Sequence, residues 1–264
     1  MTPNRTRTNE HEHEHEYEYE IGVQSVVFQA LSLADLLAEL ETTGIDQLEL
    51  WGHHLSPEDG EDEIEDAIER IDDADVTICG YGVVDLDDPG RAREHVAFAD
   101  RLGADYVTVN YPPASDDVTE ELIALAEEFG IDVAIHNYST VHHDDLSRVF
   151  SSVDDVREVL ERYDHPRLGV CIDTGHFLVM DETPDDVLPD LGDRVTAVHL
   201  KDTSEAELED LPGAGRLDLA HVLGLLDEHA DLEAPLVIEY ELPAERATDA
   251  LVEAAENIRA AGVQ

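Results

Sequence analysis

Lysine is nearly absent from this chain. Lys201 is the only one in 264 residues, and the other fourteen basic residues are Arg. Against these 15 stand 65 Asp and Glu, a formal net charge of -50. So acidic a chain repels phosphate backbones at ordinary salt, which excludes nucleic acid as a default partner. Long hydrophobic runs are also missing. No stretch reaches the roughly 18 apolar residues that a membrane-spanning helix needs, and the N-terminus has no apolar signal core. A cytoplasmic location without membrane contact is therefore expected. Cysteine is scarce too. Cys79 and Cys171 lie far apart inside apolar runs and read as buried thiols, not as a disulfide or metal framework.

The acidity is not confined to one end. Residues 1–20 hold six Glu and two Arg, which leaves -46 for the rest of the chain. Acid enrichment with lysine depletion suggests adaptation to very high salt, where repulsion is screened over about 3 Å at 1 M and a dense acidic coat keeps the protein solvated. An acidic chain can instead be too polar to fold. The 42% of hydrophobic residues, arranged in regular runs, argue against that.

Eight short apolar runs recur: "IGVQSVVF" (21–28), "LELW" (48–51), "VTICGYGVV" (76–84), "YVTVNY" (106–111), "DVAIHNY" (132–138), "RLGVCID" (167–173), "VTAVHL" (195–200) and "PLVIEY" (235–240). They suit buried parallel strands. Between and after them lie segments of helical period at 33–44, 62–71, 90–103, 117–130, 152–163, 183–192, 218–230 and 245–262. Strict alternation predicts a parallel sheet, and eight units in this length predict a closed (β/α)8 TIM barrel in a single domain, 17–264. An open doubly wound sheet is the runner-up, but no GxGxxG follows the first strand and no P-loop occurs. Residues 1–16, with the alternating "EHEHEHE", read as a solvated His/Glu-rich tail that binds Zn²⁺ or Ni²⁺ weakly.

In such barrels the active site lies at the C-terminal ends of the strands. Strand 5 ends in His136-Asn137-Tyr138, strand 6 in Asp173-Thr174-Gly175-His176, strand 7 in His199-Leu200-Lys201 and strand 8 in Glu239-Tyr240-Glu241. Strand 2 contains Glu49 and ends at Trp51, with His53 close behind, and strand 4 ends at Asn110. Residues two apart on a strand share a face, so His199 pairs with Lys201 and Glu239 with Glu241. If those faces point inward, His136, Asp173, His199 and Glu239 converge. Two carboxylates about 4 Å apart repel by roughly 4 kcal/mol at an effective dielectric of 20. One is then protonated, or a cation sits between them. Histidines among carboxylates favour one divalent ion, with Mn²⁺, Zn²⁺, Co²⁺ or Fe²⁺ preferred to Ca²⁺. Singly, a strand-end His is more often a bonded core residue, and Asp-Thr-Gly a turn. Adjacent strands carrying them at one end is the stronger signal. The surviving Lys201 reads as a required inward ammonium, able to steady an enediolate.

The ordered set "IGVQSVVF", "LELWGHHL", "GYGVV", "AIHNY", "GVCIDTGH", "VHLKD" and "LVIEYE" resembles the sugar phosphate isomerase/epimerase family of xylose-isomerase-like TIM barrels, over about Ile21 to Glu241. The resemblance implies one divalent metal held by Asp173, His199 and Glu239, with His136 where the family commonly has Glu. It implies a substrate-binding or supporting place for His176. It also implies proton abstraction next to a carbonyl of a small keto-sugar or sugar phosphate, with Glu239 as base and Glu241 behind it. Because the family's second metal-bound glutamate is His136 here, the two-Glu proton transfer cannot be copied whole, and His136 is a ligand or itself a base. Glu49, Trp51, His53, Asn110 and Glu241 are the further substrate-binding candidates. The "PGAGRLDL" loop (212–219) is either a close approach to a ligand or a turn. A carbohydrate dehydratase or lyase would share the first step, and a sugar-binding barrel without turnover would share the fold. The superfamily's abasic-site DNA endonucleases carry extra ligands, including an Asp-x-His after strand 7, and none lies between Lys201 and the helical segment at 218–230. A homo-oligomer is compatible with all of this.

Overall fold

The computed structural model describes residues 19–262. The expected tail, 1–16, lies outside them. Eight parallel strands pair in sequence order and close, β1 (Ile21–Gln24) bonding to both β2 (Gln47–Leu50) and β8 (Leu236–Ile238). Between them run β3 (Thr77–Asp85), β4 (Tyr106–Asn110), β5 (Asp132–His136), β6 (Leu168–Asp173) and β7 (Val195–Leu200). Closure of β1 on β8 rules out the open doubly wound sheet and establishes a single TIM barrel.

The outer layer consists of α1 (Leu33–Thr43), α2 (Glu61–Asp73), α3 (Pro89–Leu102), α4 (Asp116–Phe129), α5 (Val153–Tyr163), α6 (Thr174–Val179), α7 (Pro184–Leu191), α8 (Leu219–His229) and α9 (Ala247–Ala261). The helices form where the 3.6-residue period is cleanly capped. Ser32 and Ser152 accept the N–H of Asp35 and Asp155, and Gly44 closes α1 in the left-handed region at φ 70°. In α2 the apolar face of Ile64, Ala67 and Ile71 is buried, and the acidic residues between them face water. The strands of β4 and β6 are buried along their whole length, which is why they read as near-continuous apolar runs.

Three strands end two or more residues earlier than their apolar runs predict. β1 stops at Gln24 because its own side-chain oxygen accepts the Val26 N–H, turning Ser25–Phe28 into a 3-10 helix. β5 stops at His136, although Asn137 still bridges to Phe150. β8 stops at Ile238, so Glu239 stands just beyond the strand, over the mouth. One glycine shapes the interior. A Cβ on Gly80 would lie 2.3 Å from the Tyr106 ring, so its absence lets that phenol cross the barrel.

The fourteen Arg are too few to balance the surface, though some pair well. Arg93 grips Glu128 through two bonds of 2.7 and 2.6 Å, and Arg101 grips Glu61 at 3.0 and 2.7 Å. The net charge of -50 leaves a large residual repulsion that salt screens. The thermal midpoint should therefore rise by several degrees as KCl goes from about 0.1 M to 1 M, where the Debye length shortens from about 10 to 3 Å. A scanning calorimetry series showing no rise, or a fall, would contradict this.

Candidate metal centre

The DTGH segment serves two purposes at once. Asp173 ends β6 and is the N-cap of α6, with Oδ1 accepting the His176 N–H at 2.7 Å. Its other oxygen, Oδ2, is left facing the barrel axis, buried and without a hydrogen-bond partner among the described residues. Thr174 Oγ1 donates to the Lys201 carbonyl at 2.7 Å and ties β6 to β7. Gly175 has no room for a side chain, since a Cβ would lie 2.7 Å from Lys201 Cγ.

His136, Asp173, His199 and Glu239 each offer one ligand atom, and these atoms lie within 4.8 Å of one another. His136 Nε2 is 3.7 Å from Asp173 Oδ2, and His199 Nδ1 is 2.5 Å from Glu239 Oε2. All four side chains are buried. His136 Nε2, Asp173 Oδ2, His199 Nδ1 and Glu239 Oε2 share a further property: none has an aligned hydrogen-bond partner. Buried polar atoms are normally satisfied. Four orphans converging from four strand ends fit a divalent cation with a mixed N/O shell. Cys171 also approaches this group, and without an ion burial pushes its thiol up to about 12.

Beneath His199 lies Glu49. The carboxylate accepts Tyr106 Oη at 2.9 Å and Thr108 Oγ1 at 2.7 Å, and Oε2 is 2.9 Å from His199 Nε2. With Nε2 bonded there, Nδ1 is the nitrogen turned to the centre. Glu49, expected as a substrate contact, is fully buried and does not line the cavity above.

Lys201 points inward, as its parity with His199 requires. Its ammonium is fully buried among Asp173 (3.3 Å), Glu209 (2.9 Å) and Glu239 (2.8 Å). Burial works against the charged form, but Asp173, Glu239 and Glu209 raise the Lys201 pKa well above its ordinary value. Burial likewise opposes ionisation of Glu239, and Lys201 and His199 outweigh it, holding this carboxyl well below the usual range. Desolvation, with His199 close by, keeps His136 well below the usual imidazole value, hence neutral and suited to ligation. Burial also disfavours the charged ring of His199, yet Cys171, Glu49 and Glu239 raise its pKa well above the ordinary value.

Above this floor opens a cavity of about 300 Å³ lined by Gln24, Trp51, Asp85, Tyr138, His142, His143, Glu239 and Glu241, among others. That is the small end of ligand-binding clefts. Trp51 and Glu241, both substrate-binding candidates, are among its lining residues. His53 is exposed and packs on Trp51 at 4.9 Å, outside the cavity lining. Asn110 is buried to one side, donating to Asp85 at 2.7 Å. His176 is buried behind Tyr138, their ring centres 5.2 Å apart. Sequence reasoning missed Glu209, His142 and Asp85. Glu209 sits in "EAELED", where nothing separates it from solvated acids, whereas the doublet His142-His143 after β5 was a usable signal.

The Gly-rich loop has an internal occupant. The N–H groups of Thr203, Gly213, Gly215, Arg216 and Leu217 all donate to the Asp202 carboxylate, at 2.7 to 3.1 Å.

A family profile described as xylose isomerase-like TIM barrel matches residues 37–261. No curated protein matches the chain. Solved structures do. A D-psicose 3-epimerase from Clostridium cellulolyticum H10, with D-tagatose, superposes with a TM-score of 0.74 at 12% identity, over 93% of this chain and 100% of that one. The 3-keto-D-glucoside 4-epimerase of E. coli gives 0.72 at 17% identity, over 92% and 100%. A xylose isomerase domain protein from Alicyclobacillus acidocaldarius gives 0.71 at 21% identity, over 92% and 99%. At these identities the likeness is one of fold.

Burial lowers the His176 pKa from 6.5 to about 4. Between those values the unfolded chain takes up a proton that the folded one refuses, so metal-free protein should lose stability as pH falls from 6.5 to 4. The loss is about 3 kcal/mol. Glu209 is held at about 2, against burial, by bonds from His142 and Lys201, and adds a second loss between 4.5 and 2. Urea titrations of chelator-treated protein measure both, and His176→Gln should shrink the loss in the upper window, where His136 supplies a further part. A wild-type profile flat from pH 6.5 to 4 would refute the assignment.

Proposed function

The chain belongs to the xylose isomerase-like TIM barrel family, and from that premise we propose that it is a divalent-metal-dependent isomerase or epimerase of small, unphosphorylated keto-sugars. The observation that carries this reading is the convergence of four buried ligand atoms, none in an aligned hydrogen bond, beneath a sugar-sized cavity. His136, Asp173, His199 and Glu239 would hold Mn²⁺, Zn²⁺, Co²⁺ or Fe²⁺. A bound ion would supply Lewis acidity toward a carbonyl and its neighbouring hydroxyl.

The protein's own groups divide the remaining work. Glu239 is the one member of the four on the cavity wall, and it takes the proton next to the carbonyl. Lys201 keeps Glu239 ionised and aimed through its bond to Oε1. Enclosed by carboxylates and absent from the cavity lining, Lys201 acts through Glu239 and not by direct contact with an enediolate. Trp51 offers an apolar face, and Asp85 and Glu241 offer acceptors for sugar hydroxyls.

Two features favour an unphosphorylated substrate. The cavity wall carries Asp85, Glu239 and Glu241 and no Lys or Arg. The loop whose backbone N–H groups could cradle a phosphate is filled by Asp202. The epimerase activities named for the D-psicose and 3-keto-D-glucoside enzymes support the reaction class. The acidic coat supports a cytoplasmic enzyme working in molar salt.

Incubation with D-tagatose, D-fructose and related ketoses in D₂O, followed by NMR, tests the reaction. Solvent deuterium should enter next to the carbonyl, with Glu239→Gln about 10²- to 10⁴-fold slower and sugar phosphates poorer than the free sugars. No uptake across the ketoses by metal-loaded protein would overturn the reading. Glu49→Gln should weaken metal affinity by about 10- to 100-fold through His199, measured by competition with a chelating dye. Unchanged affinity would remove Glu49 from that role.

A further inference from the structure

A second cleft adjoins the first at Trp51. It holds about 290 Å³ and shares Trp51, Val83 and Asp85 with the cavity over Glu239. None of the four metal-ligand candidates lines it. Its own walls come from three elements. The turn after β2 brings Gly52, Ser56 and Glu58, β3 brings Tyr81, and α3 brings Arg91 and His95. Arg91 and His95 are four apart on one helix and so share a face. Asp88 caps that helix, accepting the Gly90 N–H at 2.8 Å, which sets where this face begins.

These groups are held in place but not used up. The Trp51 N–H donates to Ser25 Oγ at 2.8 Å, which anchors the indole at the junction. Tyr81 is wedged between His95, nearly parallel at 6.2 Å, and Phe98, edge-on at 5.2 Å. A Cβ on Gly52 would lie 3.1 Å from Tyr81 Oη, so the bare glycine keeps that hydroxyl open to the cleft. Asn110 donates to Asp85 Oδ1 at 2.7 Å and leaves Oδ2 for a ligand. Arg91 gives Nε to Glu94 at 2.7 Å and Nη2 to Glu58 at 2.5 Å, and Nη1 remains for a ligand.

The chemistry of the walls selects the occupant. An indole, a phenol hydroxyl, a guanidinium and two carboxylates offer an apolar face with donors and acceptors around it. A sugar ring presents the complement, C–H faces with a rim of hydroxyls that both donate and accept. An anion fits less well, because it competes with Glu58 and Glu94 for Arg91, next to Asp85. A wholly apolar group would leave Arg91 and Asp85 unpaired. The first cavity, at about 300 Å³, is the size for about one ring, so a substrate that fills both clefts has two.

We propose that this cleft binds a second sugar ring, joined by a glycosidic bond to the keto-sugar over Glu239, so that the preferred substrate is a keto-disaccharide or a comparable glycoside. The proposal rests on the keto-sugar reading of the first cavity. The linkage passes Trp51 and Asp85, which both clefts share. The second ring takes no part in the proton transfer and adds binding alone. Such binding is the same before and during the reaction, so it lowers KM and leaves kcat nearly alone. Free ketoses fit the first cavity and bind less tightly.

The test compares D-fructose with maltulose, lactulose, turanose and isomaltulose, which carry the same keto unit in different linkages. Deuterium exchange from D₂O by metal-loaded protein gives kcat and KM for each. At least one disaccharide should exceed D-fructose in kcat/KM by about tenfold or more, the gain lying in KM. Gly52→Val, which fills the space over Tyr81, and Arg91→Ala should each raise that KM about tenfold with kcat little changed. Arg91 and Glu58 form an exposed pair, so losing it costs the fold little, and thermal melts check both variants. Exchange on D-fructose with no disaccharide preferred, or a preference that both variants retain, would overturn the second subsite and leave the first reading standing. No exchange on any sugar, with calorimetric binding of a disaccharide that Gly52→Val abolishes, would support the cleft and sink the isomerase reading. Neither exchange nor binding would overturn both.

Discussion

Carboxylates removed from water in the mouth of a barrel are the constraint on which the rest of this structure depends. Asp173 and Glu239 are buried within reach of one ammonium, with Glu49 directly below. Uncompensated, such charges cost several kcal/mol each in desolvation. The fold answers with Lys201 and leaves His136 Nε2, Asp173 Oδ2, His199 Nδ1 and Glu239 Oε2 without aligned hydrogen bonds. The acidic coat and the site thus face opposite problems. Surface carboxylates are solvated and screened by salt, and the buried ones need fixed partners.

That requirement explains details that look local. Gly175 is bare so that the Lys201 chain can pass. Gly80 is bare so that Tyr106 can reach Glu49. Asp173 spends one oxygen on capping α6, which fixes the direction of the other. Each arrangement packs the scaffold and sets the direction of a side chain at the mouth at once. Lys201 in a chain with no other lysine follows the same logic: a compact ammonium fits among three carboxylates where a planar guanidinium would not.

The barrel was legible because period-2 and period-3.6 segments alternate eight times, and the clustering of His136, Asp173, His199 and Glu239 because ionisable residues end four consecutive strands. Parity along β7 put His199 and Lys201 on one inward face, and they are there. Depth along the axis was not legible. Glu49 and Asn110 read as mouth residues, but bulged pairing between β2 and β3 and the bond from Asn110 to Asp85 set them below and beside the cavity. Loop residues were hidden for a different reason. Glu209 and Asp85 are two acids among 65, and only the folded chain singles them out by closing loops over the strand ends. The Gly-rich loop was ambiguous because its N–H groups suit either a bound anion or a side chain, and Asp202 decides for the latter.

The most direct test of a metal centre at these strand ends is an anomalous difference map from crystals soaked in Mn²⁺. The account predicts a peak within bonding distance of His136, Asp173, His199 and Glu239, with His199 meeting it through Nδ1. Ordered side chains with no peak between them would contradict it.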